Sequence, residues 1–243
     1  MDSQQGTHAD GSTRDAGGVL YKKDFWRTEN LNYSRPHPRM VKVARIANSL
    51  AGGRNCTLLD VGCGPTTLAS LLQPNIDYYG VDIAIQEPAP NLLEVDLLEN
   101  PIGFDGRRFD IVVAQGFFEY AGKFQSQKLA EIAGLLAEGG TFITSYVNFG
   151  HWHRFIYAPY SNVRPFPKFR ASIREHFTVQ RVVPTSYNLR HHDSQRKLAE
   201  VLRLGTDLNI PILGPLFAIQ YILLCTKRED AASVPTARAS RRG

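Results

Sequence analysis

The chain has 243 residues, 43% of them hydrophobic and 21% charged, with a net charge of +5. That balance is globular and excludes a chain disordered throughout, and the length admits one generous domain or one domain with an inserted cap. Three scattered cysteines, Cys56, Cys63 and Cys225, offer neither a disulfide framework nor a CxxC pair, which fits a reducing, cytoplasmic setting.

Residues 1–18 are polar, with no apolar run that would serve as a secretory leader, and read as a disordered tail. Residues 19–230 read as a single domain. It begins over 19–54 with an aromatic strap (Tyr21, Phe25, Trp26, Tyr33) carrying Arg35, followed by a helix from His37 to Ala51. Met40, Val41, Val43, Ala44, Ile46, Ala47 and Leu50 line its apolar face, Pro38 sits in its first turn, and Gly52-Gly53 stops it. Cys56–Val61 is a buried strand ending in a glycine loop, and Thr67–Leu72 is expected to be a helix. Tyr78–Val81 is a strand ending in Asp82, Leu92–Val95 a strand ending in Asp96, and Phe109–Ala114 a continuous apolar strand. Gln127–Leu136 is a helix closed by Gly139-Gly140, and Thr141–Tyr146 the next strand.

Thr178–Val183 and Leu216–Cys225 complete the sheet. Strands alternating with helices predict an α/β fold with a doubly wound, mostly parallel seven-stranded sheet. The stretch 147–215, apart from its one short strand, reads as excursions after the fifth and sixth strands that form a cap on the substrate side. Positive charge concentrates there: residues 150–199 hold nine Lys/Arg against two acids. Ile210–Cys225, the longest apolar stretch, is broken by Pro211, Gly214, Pro215 and Gln220 and is shorter than the roughly 20 residues of a membrane helix, so no membrane span is expected. Residues 231–243 read as a second disordered tail.

The informative segment is Leu58-Leu59-Asp60-Val61-Gly62-Cys63-Gly64-Pro65-Thr66-Thr67. Glycines after a buried strand let the backbone approach a ligand at the carboxyl end of the sheet. Asp82, twenty residues past Gly62, ends the next strand, where a carboxylate accepts both hydroxyls of a ribose. That pair suits a nicotinamide or an S-adenosylmethionine enzyme, and Asp60 separates the two. A pyrophosphate would be repelled by it, whereas S-adenosylmethionine has no phosphate and brings an ammonium and a sulfonium. Thr67 also stands where a dinucleotide fingerprint places its third glycine.

From Asn55 to Tyr146 the sequence resembles the class I S-adenosylmethionine-dependent methyltransferases. Leu-Asp-Val-Gly-Cys-Gly is similar to the family's first motif and Tyr-Gly-Val-Asp at 79–82 to its second. Glu-Val-Asp at 94–96 is similar to the third, whose Asp faces the adenine amino group. Phe-Asp-Ile-Val-Val-Ala-Gln at 109–115 with Phe-Phe-Glu-Tyr at 117–120 is similar to the fourth, and Leu-Ala-Glu-Gly-Gly-Thr-Phe at 136–142 to the turn before strand five. Pro65-Thr66 departs from the family's usual Thr-Gly. The resemblance implies a Rossmann-like methyltransferase fold and the cofactor S-adenosylmethionine, held by Asp60, Gly62, Gly64, Asp82 and Asp96. Gln115 lines the methyl-transfer cavity and is counted with them. The aromatic strap resembles the family's N-terminal lid.

Methyl transfer from a sulfonium needs alignment of acceptor, methyl and sulfur, and exclusion of water. An alcohol acceptor also needs a base. His151 and His153 leave the end of strand five, where the methyl would point, and are the candidate catalytic bases. Glu119, Trp152, Arg154, Tyr157, His191 and His192 are candidate acceptor contacts. The contiguous His191-His192-Asp193 is poor metal spacing, so no metal is expected. Aromatics among arginines after strand five, Phe166 and Phe169 with them, suit core packing or a stacked sugar. No nucleic-acid module is present, and nucleic acid is not expected as a partner. The sequence therefore reads as an O-methyltransferase acting on a hydroxyl of a small polar acceptor, with saccharides in view. N- or C-methylation of a small metabolite and a binding protein that has lost catalysis are the alternatives; a homodimer is left open.

Overall fold

The computed structural model describes residues 23–36, 38–104, 106–147, 164–187 and 218–228. The helices are α1 (Lys23–Glu29), α2 (Pro38–Ala51), α3 (Phe118–Ala121), α4 (Gln125–Leu135) and α5 (Phe166–His176). The strands are β1 (Cys56–Val61), β2 (Ile76–Asp82), β3 (Leu92–Glu94), β4 (Phe109–Gln115), β5 (Leu136–Val147), β6 (Phe177–Tyr187) and β7 (Ala218–Lys227). They form the expected seven-stranded sheet, in the order β3-β2-β1-β4-β5-β7-β6. β1 to β5 are parallel, and β7 runs antiparallel between β5 and β6.

Continuous apolar runs form β1 and β4 because both sheet faces are covered. Leu58, Ile111, Val113 and Ile143 point to the face covered by Val43, Ala44 and Ala47 of α2. Leu59, Val112, Ala114 and Phe142 point to the other face, against Leu129 and Ile132 of α4 and Phe169 and Ile173 of α5. The chain winds outward through β2 and β3 and then returns to β4. The strand order therefore reverses between β1 and β4, and such a switch point opens a crevice at the strands' carboxyl ends.

Two expectations are corrected. Thr67–Leu72 is not a helix: only a 3-10 turn, Ala69–Leu71, forms there. Thr66 takes a left-handed φ of 57°, and Pro74 follows too closely for an α-helix to extend. The excursions expected over 147–215 do not include residues 164–187, which build α5 and the long strand β6 in the body of the domain. Phe169 is fully buried and stacks on Tyr146, ring centroids 3.8 Å apart, so this aromatic belongs to the core and not to a cap. The Tyr146 hydroxyl fastens the start of α5 by donating to the Arg164 carbonyl (3.0 Å) and accepting from its N–H (2.9 Å). Residues 148–163 and 188–217, both tails and the start of the strap lie outside the described residues. Among the described residues no helix is long and apolar enough to cross a membrane.

Candidate functional site

At the switch point β1 runs into the glycine loop. The Gly62 and Cys63 N–H groups both donate to the Val81 carbonyl, at 2.8 and 3.2 Å, which ties the loop to β2. Gly62 and Gly64 have φ of 74° and 53°, a region that an L side chain enters at a cost. A Cβ on Gly64 would lie 3.4 Å from Asn30 Oδ1, and one on Gly62 would lie 3.5 Å from the Phe117 Cβ. The loop is therefore hemmed in by the strap on one side and by α3's entry on the other. Thr66 holds a third left-handed position and is braced there: its N–H donates to the Cys63 carbonyl at 3.1 Å and its carbonyl accepts from Ala69 at 2.9 Å.

Two buried carboxylates flank this loop. Asp60 is 3% exposed, and its Oδ2 accepts from the Tyr78 hydroxyl at 3.0 Å. Burial pushes its carboxyl up to about 7, the Tyr78 bond opposes the rise, and the neighbouring Asp82 adds to it. Asp82 Oδ2 accepts the Gly64 N–H at 2.9 Å, and Oδ1 accepts the Ala84 N–H at 2.9 Å and the Asn30 amide at 3.4 Å. Burial raises its pKa as well, and those bonds, with one from the Ile83 backbone, restrain the rise.

Asp60, Gly62, Gly64, Asp82, Gln115 and Glu119 thus come together around one cavity of about 270 Å³. The end of β4 and α3 line it as well, with Val147 and Gln220. Trp26, Asn30 and Tyr33 of the strap also line it. The strap is anchored on both sides: Lys23 pairs with Glu94, Thr67 Oγ1 donates to the Tyr33 carbonyl (2.8 Å), and Trp26 meets Tyr120 edge to face (4.9 Å). Glu119 is 7% exposed; its Oε1 accepts the Val147 N–H at 3.0 Å, while its buried Oε2 has no hydrogen-bond partner among the described residues. Burial pushes this carboxyl up to about 7, with the Arg39 charge pulling it down. Gln115 Oε1 is likewise buried without a donor among the described residues.

Asp96 follows β3 by two residues. Its Oδ1 accepts the Leu98 N–H at 2.9 Å, capping a turn, and it is not among the cavity-lining residues. His151, Trp152, His153, Arg154, Tyr157, His191 and His192 lie outside the described residues. Among the described residues no group of three or more His, Cys, Asp or Glu could hold a metal.

Arg39 is the residue that sequence reasoning missed. It lines the cavity from the first turn of α2, its Nη2 lying 3.3 Å from where a Cβ on Gly116 would stand. Gly116 has φ of 69° and no side chain, so the guanidinium reaches the end of β4. One sequence signal existed: a cation in a helix's first turn opposes the helix dipole, and this first turn has no acid to offset it.

The donor set fits S-adenosylmethionine. Two buried carboxylates at the glycine loop disfavour a pyrophosphate and favour an ammonium, a ribose-directed acceptor lies beside them, and one arginine answers a carboxylate.

A family model described as "Methyltransferase domain" matches residues 32–181. No curated protein matches the chain. Among solved structures, a SAM-dependent methyltransferase from Archaeoglobus fulgidus superposes with a TM-score of 0.56 at 14% identity, over 81% of this chain and 97% of that one. The N-methyltransferase NodS from Bradyrhizobium japonicum, in complex with S-adenosyl-L-homocysteine, gives 0.53 at 12% identity, over 84% of this chain and 99% of that one. The plantazolicin methyltransferase BpumL, in complex with a triazolic desmethylPZN analog and S-adenosylhomocysteine, gives 0.54 at 12%, over 84% and 91%. At these identities the likeness is one of fold.

Proposed function

The chain belongs to the methyltransferase-domain family and is an S-adenosylmethionine-dependent methyltransferase; from that premise we propose that it methylates a hydroxyl of a small polar acceptor, with His151 or His153 as the base. The observation that carries the cofactor assignment is the pair of buried carboxylates, Asp60 and Asp82, on either side of a left-handed glycine loop at the sheet's switch point. Asp82 would take the ribose hydroxyls, Asp60 the ammonium, the Gly62–Gly64 backbone the amino-acid end, and Arg39 the carboxylate. When bound, the cofactor supplies an electrophilic methyl whose transfer leaves a neutral thioether.

The chain itself orients the acceptor and excludes water. Phe117, Tyr120 and Trp26 give the cavity an aromatic wall, which suits a dry site. A hydroxyl must lose its proton during transfer, so a base is needed near the end of β5. Val147 lines the cavity and His151 is four residues further on in the sequence, so chain length alone holds its Cα within about 14 Å of the Val147 Cα. A saccharide is the acceptor class that Trp152 and Tyr157, with Arg154 between them in the sequence after β5, would suit.

The test has two stages. Calorimetry should show S-adenosylhomocysteine binding that Asp82→Ala weakens, and no binding of NADH; the reverse overturns the class. Transfer of a labelled methyl into a metabolite extract should then yield an O-methylated small molecule. His151→Ala with His153→Ala should lower that turnover about 10²–10⁴-fold and leave product affinity intact. An N- or C-methylated product, or full turnover in the double variant, would replace the hydroxyl reading.

A further inference from the structure

Glu119 carries an unspent hydrogen-bonding capacity. One oxygen is fixed by the Val147 N–H at the end of β5, and the other, Oε2, is buried with no donor among the described residues. Gln115 Oε1 is buried without a described donor on the same wall of the same cavity. A buried acceptor left without a donor is costly, more so when charged, so two on one wall mark a surface built for a ligand that brings donors.

We infer that this wall binds a neutral polyhydroxylated acceptor, one hydroxyl donating to Glu119 Oε2 and a neighbouring hydroxyl to Gln115 Oε1. This rests on the methyltransferase reading and names the chemistry of the acceptor. Charge selects hydroxyls over the other donor-bearing groups. An ammonium would meet the Arg39 guanidinium, which already acts on Glu119. A carboxylate would meet Glu119, with Asp60 and Asp82 lining the same cavity. Hydroxyls satisfy both oxygens and add no charge.

The enzyme saturated with S-adenosylhomocysteine is titrated with methyl glycosides bearing vicinal hydroxyls, with ethylammonium and with acetate, followed by saturation-transfer NMR. At least one glycoside binds the wild type, and ethylammonium and acetate do not compete with it. Glu119→Gln keeps an oxygen for the Val147 N–H and removes the charge. It weakens glycoside binding about tenfold or more, as expected for loss of a hydrogen bond to a charged group. Product affinity stays at its wild-type value. Glycoside binding indifferent to Glu119→Gln, tighter binding of ethylammonium, or no glycoside binding to the loaded enzyme overturns the inference. So does a parallel loss of S-adenosylhomocysteine affinity in the variant, which assigns Glu119 to the cofactor. Failure of the wild type to bind S-adenosylhomocysteine at all is a different result, and removes the methyltransferase reading itself.

Discussion

Replacing Asp60 with asparagine should uncouple cofactor binding from pH. The Asp60 carboxyl is pushed by burial from its ordinary 3.8 up to about 7, so in the free enzyme it is about half protonated at neutral pH. The ammonium of S-adenosylhomocysteine favours the ionised form, so binding expels the proton. At pH 6, one unit below that pKa, about one molecule in eleven is ionised. Affinity there should be about tenfold, or about 1.4 kcal/mol, below its plateau above pH 8. Close to one proton should be released per ligand at pH 6 and almost none at pH 8.5. The Asp60→Asn side chain keeps an oxygen for the Tyr78 hydroxyl, which lies 3.0 Å from the native carboxylate, so the loop's support survives. The assay is titration calorimetry at each pH in two buffers of different ionisation heat, the difference reporting protons released. Glu119→Gln is the control, because Glu119 is the other carboxyl of the cavity raised to about 7. Wild type and Glu119→Gln should release the proton, and Asp60→Asn should not. Equal release from Asp60→Asn and wild type, or release abolished by Glu119→Gln alone, would refute the reasoning.

Arg39→Gln should weaken S-adenosylhomocysteine binding about tenfold or more but leave the affinity of a decarboxylated analogue unchanged, as calorimetry with both ligands would show; equal losses for the two would refute a carboxylate contact. Phe169→Ala empties a fully buried site stacked on Tyr146 and should destabilise the fold by about 3–5 kcal/mol in denaturant titration. The ligand-free protein should lose stability as pH rises from about 4 to about 7. Asp60 and Glu119 hold protons in the folded state across that window that the unfolded chain has released, so the sign is negative with rising pH. Thermal melts at pH 5 and pH 7.5 would show it, and the Asp60→Asn, Glu119→Gln double variant should flatten the difference.

The strands were legible where burial on both faces left no choice of residue. β1 and β4 are continuous apolar runs, and their alternate side chains enter separate cores. The glycine loop and Asp82 were legible because they lie close in sequence and strand β2 brings them together. α5 was not, because an eleven-residue helix with three buried side chains among exposed charges has the composition of a surface excursion. Only its packing on Tyr146 and Phe118 makes Phe169 a core residue. The short turn at Ala69–Leu71 was hidden for the opposite reason, since Leu68, Leu71 and Leu72 have helical spacing while Thr66 and Pro74 cut the helix off.

The doubly wound sheet, its glycine loop and the acid at the end of β2 are written in the residues themselves, because hydrophobic period and backbone freedom are local properties. Tertiary structure decided the character of the site. Asp60 and Glu119 are ordinary carboxylates in sequence, and their pKa values rise only because the fold strips water from them. Arg39 reaches the end of β4 only because Gly116, 77 positions along the chain, leaves its guanidinium room. Desolvation and long-range charge depend on distances through space, and those exist only once the chain has closed around the cavity.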